Sequence, residues 1–397
     1  MKRLLIIGAS ILQLPAIMKA KEMGFRVGVV DYSPGAIGIS YADDYFDYST
    51  IDADGILQAA YSFRPDGIMT LASDMPILPI AVVANKLGLP GLSVDSAIKA
   101  THKGEMMKAF KNHQIEAPWF YIINNPEEMV FLKSKITFPC IIKPCDNSGS
   151  RGVVMVENIM DLDAALQYSL KYTRGGSVII EEFLSGNEVS VEAITADGVT
   201  HILAITDKIT TGPPHFVEIG HSQPSKLSEI DQIKIKDLAK RAIKSLGIIN
   251  APAHVEIMLT PNGPKMIELG ARLGGDNITT HLVPLSTGID MVRAAIQLSV
   301  GQLPDIRQEF QKNSAILYIK GSPGIISEIS GIDEAKKVLG IKEVVLTKEI
   351  GDHVSTIQSS NDRIGYVIAQ GDFARKAIRI CEEAISFLKI KIENESN

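Results

Sequence analysis

The 397-residue chain is 45% hydrophobic and 22% charged, which suits a folded globular protein and argues against disorder. Its length exceeds one ordinary core and leaves room for two or three domains. A formal charge of −6 argues against a protein whose main task is to hold nucleic acid, although local basic groups and backbone amides can still receive an anionic substrate.

Met1, Lys2 and Arg3 precede an apolar run over 4–18 that superficially imitates a secretory leader. Gly8 and Pro15 interrupt that run, and a charged helical segment over 19–22 follows. No apolar stretch reaches the roughly 18 residues a membrane helix needs. Cys140, Cys145 and Cys381 form no CxxC pair and no even-numbered framework, so neither a zinc site nor a disulfide scaffold is expected, and a reducing, cytoplasmic setting is.

Residues 1–95 read as repeated β–α units: strand 3–7, a helix ending near 23, strand 26–30, helix 54–63, strand 67–71 and helix 78–87. Short apolar strands alternating with helices predict a parallel sheet covered on both faces. Gly24 and Gly88 fall where helices should stop. A helix over 96–113, strand 138–143, a Gly-rich turn over 146–152, strand 153–156, helix 161–172 and strand 177–181 predict a second, smaller α/β unit. Antiparallel strands are expected over 188–212, followed by a Gly/Pro-rich loop over 210–225, a helix over 229–246 and strands 253–259 and 264–269. The last stretch, 302–397, shows strands 315–319, 342–347 and 364–370, an amphipathic helix over 373–388 and a tail from 393 expected to fray.

The first βα turn, Gly8-Ala9-Ser10 with Asp31 ending the second strand, imitates a dinucleotide fold. The glycines that let backbone approach a pyrophosphate are missing, because Ser10 and Gln13 stand in their places. A nicotinamide oxidoreductase is therefore disfavoured, and no Walker GxxxxGK[ST] motif occurs.

The turn over 146–152, with Ser148, Gly149 and Ser150, lies between two strands as a hairpin whose free N–H groups could close over phosphate oxygens. Lys143 precedes it, placed to offer a point charge; an ordinary mobile hairpin beside a surface lysine fits the same residues. The apolar strand 178–184 ends in Glu181, Glu182, Phe183 and Leu184, with Glu188 following. Acids and free backbone at a strand end can pair with adenine and ribose, but such strand ends are also common without a ligand.

Glu256 and Glu268 give the strongest local signal. Each interrupts an apolar run, and the connection between them contains Pro261-Asn262-Gly263-Pro264. A three-residue loop would set the two carboxylates opposite each other on one face, whereas a two-residue loop would slip the register and separate them. Facing carboxylates need a proton or a cation between them, and Mg2+ bound by two carboxylates plus phosphates meets that need. Arg272 lies in a Gly-rich segment from which a guanidinium could hold a phosphoryl or carboxylate group. His221 and Glu218, within 210–225, are candidates for orienting a substrate, and His254 should share the face of Glu256 as its neighbour.

The order of these parts resembles the ATP-grasp superfamily. The carriers are Lys103 in Thr101-His102-Lys103-Gly104-Glu105, Pro139-Cys140-Ile141-Ile142-Lys143-Pro144, the Gly-rich hairpin, Ile180-Glu181-Glu182-Phe183-Leu184 with Glu188, His254-Val255-Glu256, and Ile267-Glu268-Leu269-Gly270-Ala271-Arg272. Within the superfamily the chain is similar to the carboxylate–amine ligases of the L-amino acid ligase kind. The likeness covers about 1–300, and the remainder looks like the same group's terminal domain.

The resemblance implies an α/β fold, α+β in places: an N-terminal parallel-sheet domain over 1–95, a two-lobed ATP-grasp domain over 96–301 with a lid at about 114–184, and a small α+β domain over 302–397. It implies ATP and Mg2+, with Mn2+ able to substitute. Lys103 and Lys143 would contact the phosphates under the hairpin of Ser148, Gly149 and Ser150. Glu181, Glu182 and the backbone at Phe183 and Leu184 would face adenine, and Glu188 the ribose. Glu256 and Glu268 would hold the metal, with Arg272 on the transferring phosphoryl group. Small-molecule carboxylate and amine substrates, amino acids by default, are the implied partners, with no nucleic acid or membrane and with a homodimer as the family's assembly. One position departs: Gly270 stands where many members carry Asn, which bears on the number of metal ions.

Two rivals share the nucleotide chemistry, namely a purine-pathway ligase resembling glycinamide ribonucleotide synthetase and a non-catalytic nucleotide binder. A carboxylase-type subunit would need a biotin partner, and no Met-Lys-Met segment is present.

Overall fold

The computed structural model describes residues 1–149, 151–213, 216–372 and 376–393. The chain opens with β1 (Arg3–Ile7), β2 (Arg26–Val30), β3 (Asp44–Phe46) and β4 (Gly67–Met69), a fully parallel sheet in the order β3-β2-β1-β4. These strands are apolar without alternation because both faces are buried. Leu4 and Ile6 pack with Ile17 of helix Leu14–Glu22, while Leu5 and Ile7 pack with Ile56 and Phe63 of helix Ala53–Phe63. Gly24 and Gly88 take φ values of 80° and 65° just past their helices, a left-handed stop that favours glycine.

The helix predicted over 96–113 is two helices, Val94–Thr101 and Lys103–Asn112. His102 breaks them with an extended backbone, and its Nδ1 accepts from the Glu105 amide at 3.2 Å to cap the second helix. The break turns Lys103 inward as the first residue of a helix, where its own amide donates to the Cys145 carbonyl at 2.8 Å.

Next come β5 (Phe120–Ile123), β6 (Cys140–Pro144), β7 (Val154–Val156) and β8 (Val178–Glu182), an antiparallel sheet ordered β5-β8-β6-β7. The chain continues through β9 (Asn187–Ala196), β10 (Val199–Thr210), β11 (Glu218–Gln223), β12 (Ala251–Thr260), β13 (Gly263–Gly270), β14 (Asn313–Ile319), β15 (Gly324–Ser330), β16 (Ile341–Leu346), β17 (His353–Val354), β18 (Gly365–Gly371) and β19 (Lys389–Glu393). An eight-stranded antiparallel sheet, β13-β12-β9-β10-β11-β14-β18-β16, runs through the middle of the molecule, and β17-β15-β19 forms a small separate one.

Two expectations change here. The segment over 210–225 was expected to be a loop, yet β11 occupies much of it, paired with β10 and β14. The strands of the C-terminal stretch do not all stand apart, because β14, β18 and β16 extend the central sheet. The terminal helix is described over Lys376–Phe387; its expected start at 373 and the tail beyond 393 lie outside the described residues.

Strict alternation on the central strands separates core from cleft. Val189, Val191, Val255, Ile257 and Leu269 point to one face and are buried against Ile235, Leu238 and Ala242 of helix Glu229–Ser245. Glu188, Ser190, Glu192, His254, Glu256 and Glu268 alternate with them and share the opposite face. Among the described residues, no helix is long and apolar enough to cross a membrane.

Candidate active site

The opposite face of the central sheet meets β6, β8 and the hairpin after β6 in a cleft. Lys103, Lys143, Ser148, Gly149, Glu181, Glu182, Phe183, Leu184, Glu188, Glu256 and Glu268 all line it. Ser150, also expected there, lies outside the described residues. An adjoining cavity shares Ser148, Gly149, Glu218, Glu256 and Glu268 and adds His221, His254 and Arg272. Every described residue expected to meet nucleotide, metal or substrate therefore lines one of two joined cavities.

Glu256 on β12 stands directly opposite Glu268 on β13, but not through the three-residue loop expected for that register. Thr260 pairs with Gly263, so the loop has two residues, and a bulge at Ile267 restores the alignment that this shorter loop would have lost. Both carboxylates already hold an ammonium: Lys103 Nζ lies 2.8 Å from Glu268 Oε1, and Lys208 Nζ lies 3.0 Å from Glu256 Oε1. Among the described residues no group of three or more His, Cys, Asp and Glu forms a ready-made metal cage. Two carboxylates are nevertheless the usual protein share for Mg2+, whose other ligands are water and phosphate oxygens. Positions that neutralise two ammonium groups in a buried cleft have the charge and donor type for that ion.

The remaining charges are also paired. Lys143 Nζ lies 2.6 Å from Glu181 Oε2, both side chains buried; burial works against the lysine's charge, but Glu181 and Glu268 outweigh it and raise its pKa. Among the described residues the second oxygen of Glu181 is buried without a hydrogen-bond partner. Lys265 holds Glu182 at 2.7 Å. Burial pushes the Glu256 carboxyl up, yet Lys208 and His254 hold it well below its usual range. His254 bridges Glu192 at 2.8 Å and Glu256 at 3.3 Å. Burial alone would lower its pKa, but Glu192 and Glu256 raise it to about 9, so the imidazolium persists at neutral pH.

Several residues here escaped the sequence reading. Lys208 sits on β10 between Glu188 and Glu256, and Asp74 grips Arg272 bidentately at 2.7 and 3.0 Å across 198 positions. Asp276 joins His221 at 3.2 Å to Arg363, whose guanidinium also lies 3.8 Å over the Tyr318 ring. The charged pair Asp207-Lys208 within an apolar strand was the one local hint; Asp74, Asp276 and Arg363 are joined only by the fold. The departure at Gly270 has a steric counterpart, since a Cβ there would sit 3.1 Å from Asp74 Oδ1 and 3.3 Å from Arg272 Cζ. The Asp74–Arg272 pair occupies the space an Asn side chain would enter.

At the dinucleotide look-alike, several groups of the turn are already engaged. Asp31 accepts from the Ala9 amide at 2.7 Å, and a Cβ on Gly8 would meet Gln13 Cγ at 3.0 Å. Gly38 donates to the Ala9 carbonyl at 2.8 Å.

Residues 136–280 match the ATP-grasp domain family, and residues 317–393 match the L-amino acid ligase C-terminal domain 2. The chain therefore carries an ATP-grasp domain, a domain type that uses ATP with Mg2+, followed by a C-terminal domain of the L-amino acid ligase type. Alanine–anticapsin ligase of Bacillus subtilis is 29% identical over 266 residues, which is 61% of this chain and 56% of that protein, so the match spans little more than half of that relative. An L-amino acid ligase from Bacillus licheniformis superposes with a TM-score of 0.84 at 23% identity over 99% of both chains. Phosphoribosylglycinamide synthetase from Anaerococcus prevotii gives 0.80 at 24%, over 99% of this chain and 100% of that one. At these identities the two structures establish a shared fold.

Proposed function

We propose that the protein joins an amino-acid carboxylate to an amine in the cytoplasm, spending ATP to form an acyl phosphate and yielding ADP and phosphate. The observation that carries this reading is the register-locked Glu256–Glu268 pair, set with Lys103 and Lys143 where two cavities meet. One cavity takes the nucleotide: adenine beside Glu181, Glu182, Phe183 and Leu184, ribose at Glu188, phosphates under Lys103, Lys143 and the hairpin of Ser148, Gly149 and Ser150. The other takes the carboxylate substrate. Glu256 and Glu268 would hold Mg2+, or Mn2+ in its place, which supplies charge neutralisation along the phosphates.

Arg272, fixed by Asp74, faces the shared space from the acceptor side and offers a rigid fork to the transferring phosphoryl group. A substrate carboxylate oxygen attacks the γ-phosphorus as the bond to the β–γ bridging oxygen breaks, and ADP departs with that electron pair. The amine then attacks the acyl carbon, phosphate leaves, and the amine's proton is lost. Closure of the hairpin protects the acyl phosphate from water. Glu218 and His221 select the substrate; His221 is buried, and among the described residues its Nδ1 has no hydrogen-bond partner. His254 acts behind Glu256, orienting that carboxylate.

The amino-acid assignment draws on the L-amino acid ligase type of C-terminal domain and on the ligase relative named above. Three free, buried cysteines accord with a reducing compartment. A homodimer completes the reading and is checked by light scattering. The purine-type alternative keeps one observation in its favour: a phosphoribosylamine–glycine ligase aligns over 94% of both chains at 24% identity. The deciding assay is Mg2+-dependent phosphate release from ATP against pooled amino acids and small carboxylates, with Glu268→Ala as control. Release that needs a particular carboxylate–amine pair and vanishes in the variant supports the proposal; release only with phosphoribosylamine and glycine selects the alternative.

A further inference from the structure

Past Gly274 and Gly275 the chain takes two consecutive left-handed residues, Asp276 at φ 52° and Asn277 at φ 61°, and then a π-helical turn over Ile278–Leu282. Left-handed backbone is costly for residues with a Cβ, and π turns recur at functional sites. The turn aims one carboxylate. Asp276 lines the cavity of Glu218 and His221, accepts from Arg363 through both oxygens at 3.0 and 3.1 Å, and lies 3.2 Å from Nε2 of His221. Arg363 is itself set over the Tyr318 ring at 3.8 Å, and the Tyr318 hydroxyl donates to the Asp276 carbonyl at 3.2 Å.

This cluster decides which nitrogen of His221 carries the proton. A carboxylate paired with a guanidinium is ionised and can only accept, so Nε2 donates to it and the neutral ring keeps its lone pair on Nδ1. Nδ1 is buried, and among the described residues it has no hydrogen-bond partner. A buried acceptor of that kind is costly until a donor on a ligand meets it. The other charged or titratable groups around the ring are Lys208, opposite it on β10, Tyr318, edge-on from β14, and Glu218, which follows a bulge at Ile219 and lines the same cavity.

Under the ligase reading two N–H donors reach this cavity: the amino group of the activated acid and the nitrogen of the incoming amine. The first is an ammonium, which a carboxylate matches better than a neutral ring does. Glu218 has room for it, since among the described residues its ion-pair partner is Lys208 at 3.7 Å, a long contact. The second must lose a proton as it attacks, and a neutral imidazole lone pair suits that task.

We propose that His221 is the catalytic base of the amide-forming half of the reaction and that Asp276 is its positioning residue, held in place by Arg363. The amine nitrogen forms the C–N bond to the acyl carbon, the C–O bond to the phosphoryl group breaks, and phosphate leaves with that electron pair. The proton from the nitrogen passes to His221 Nδ1. The imidazolium so formed is paired with Asp276 until it returns the proton to the departing phosphate or to water. Acyl-phosphate formation needs no such base. This inference rests on the ligase reading, and the test separates the two.

The test follows two products of the full chain with MgATP and the carboxylate that supports phosphate release. One is the amide with the matching amine; the other is the acyl hydroxamate with hydroxylamine, a nucleophile already unprotonated at neutral pH. Asp276→Asn offers Nε2 a donor and so favours the wrong tautomer. Its amide-forming kcat should fall by about 100-fold or more with the amine KM within about threefold, and hydroxamate formation should fall at least about 30-fold less. Asp276→Glu, which keeps the acceptor, should recover part of the amide rate, and it carries the test if Asp276→Asn does not fold. Amide formation within about threefold of the parent in Asp276→Asn would overturn the assignment. So would loss of amide and hydroxamate in step: with a raised carboxylate KM the pair holds the acid's own amino group, and without one its role is structural. No hydroxamate from the parent with any pooled carboxylate would overturn the ligase reading itself, and the base with it.

Discussion

The turn after β1 and the cleft on the central sheet both combine glycine, small residues and nearby acids, yet they have opposite fates. At the first, backbone groups of the turn and its neighbours are engaged by the chain itself: Asp31 on the Ala9 amide, Gly38 on the Ala9 carbonyl, Gln13 across to Leu71. At the second, the charges are held by other charges that can let go: Lys103 on Glu268, Lys143 on Glu181, Lys208 on Glu256. Hydrogen bonds to fixed backbone close a site for good. Ion pairs between side chains keep one satisfied and still exchangeable.

Four substitutions test that contrast, from the largest expected effect to the smallest. Glu268→Ala removes half of the facing pair and frees Lys103. Phosphate release should drop by about 1000-fold or more while the folded state persists, and circular dichroism alongside the assay checks both. Asp74→Asn loosens the fork that aims Arg272; kcat should fall by about 10- to 100-fold with the MgATP Kd nearly unchanged, since a misplaced guanidinium affects transfer more than nucleotide binding. An equal loss in Kd would mean the pair belongs to nucleotide binding instead.

Gln13→Ala probes the sealed turn. Its carboxamide accepts from the Leu71 amide at 2.7 Å and donates to Ser73 at 3.1 Å, so chemical denaturation should show a loss of about 1–3 kcal/mol with no change in MgATP binding. A change in MgATP affinity would break the contrast between the two regions.

The smallest effect concerns pH. Burial pushes the Asp276 carboxyl up, but His221 and Arg363 hold it well below its usual range. A carboxyl whose pKa is depressed on folding contributes stability that is fully present above its unfolded value of about 3.9 and is lost as pH falls towards the folded one. Denaturation midpoints of the parent should therefore decline below about pH 4, and Asp276→Asn should flatten that acid limb. Equal acid limbs in the two proteins would remove Asp276 from the cause.

The N-terminal sheet was legible because its apolar strands and left-handed glycines carry their signals locally. The Glu256–Glu268 pairing was legible in outcome but not in route, since a two-residue turn and a bulge at Ile267 yield the register assigned to a longer loop. β11 was missed because Glu218-Ile-Gly-His-Ser-Gln has no apolar alternation. Its strand conformation comes from β10 and β14, and a Cβ at Gly220 would come within 2.6 Å of Leu317 Cδ2. Lys208, Asp74 and Arg363 were missed for a related reason: their partners lie 20 to 198 positions away, and nothing local announces them. His102, which splits one expected helix into two, is an ordinary residue acting through its capping side chain.

Arg363 reaches Asp276 from just before β18, in the stretch that extends the central sheet beyond β11. Ser360, close before it, lines the cavity of Glu218 and His221, so part of that wall comes from a segment remote in the chain from the strands of Glu256 and Glu268. Such a division of labour suits diversification by descent. Under the proposed function, changes around 360–363 would alter which acid is admitted while the phosphate-handling residues stay as they are, so exchanging that stretch between relatives would be a route to new amide products from one inherited engine.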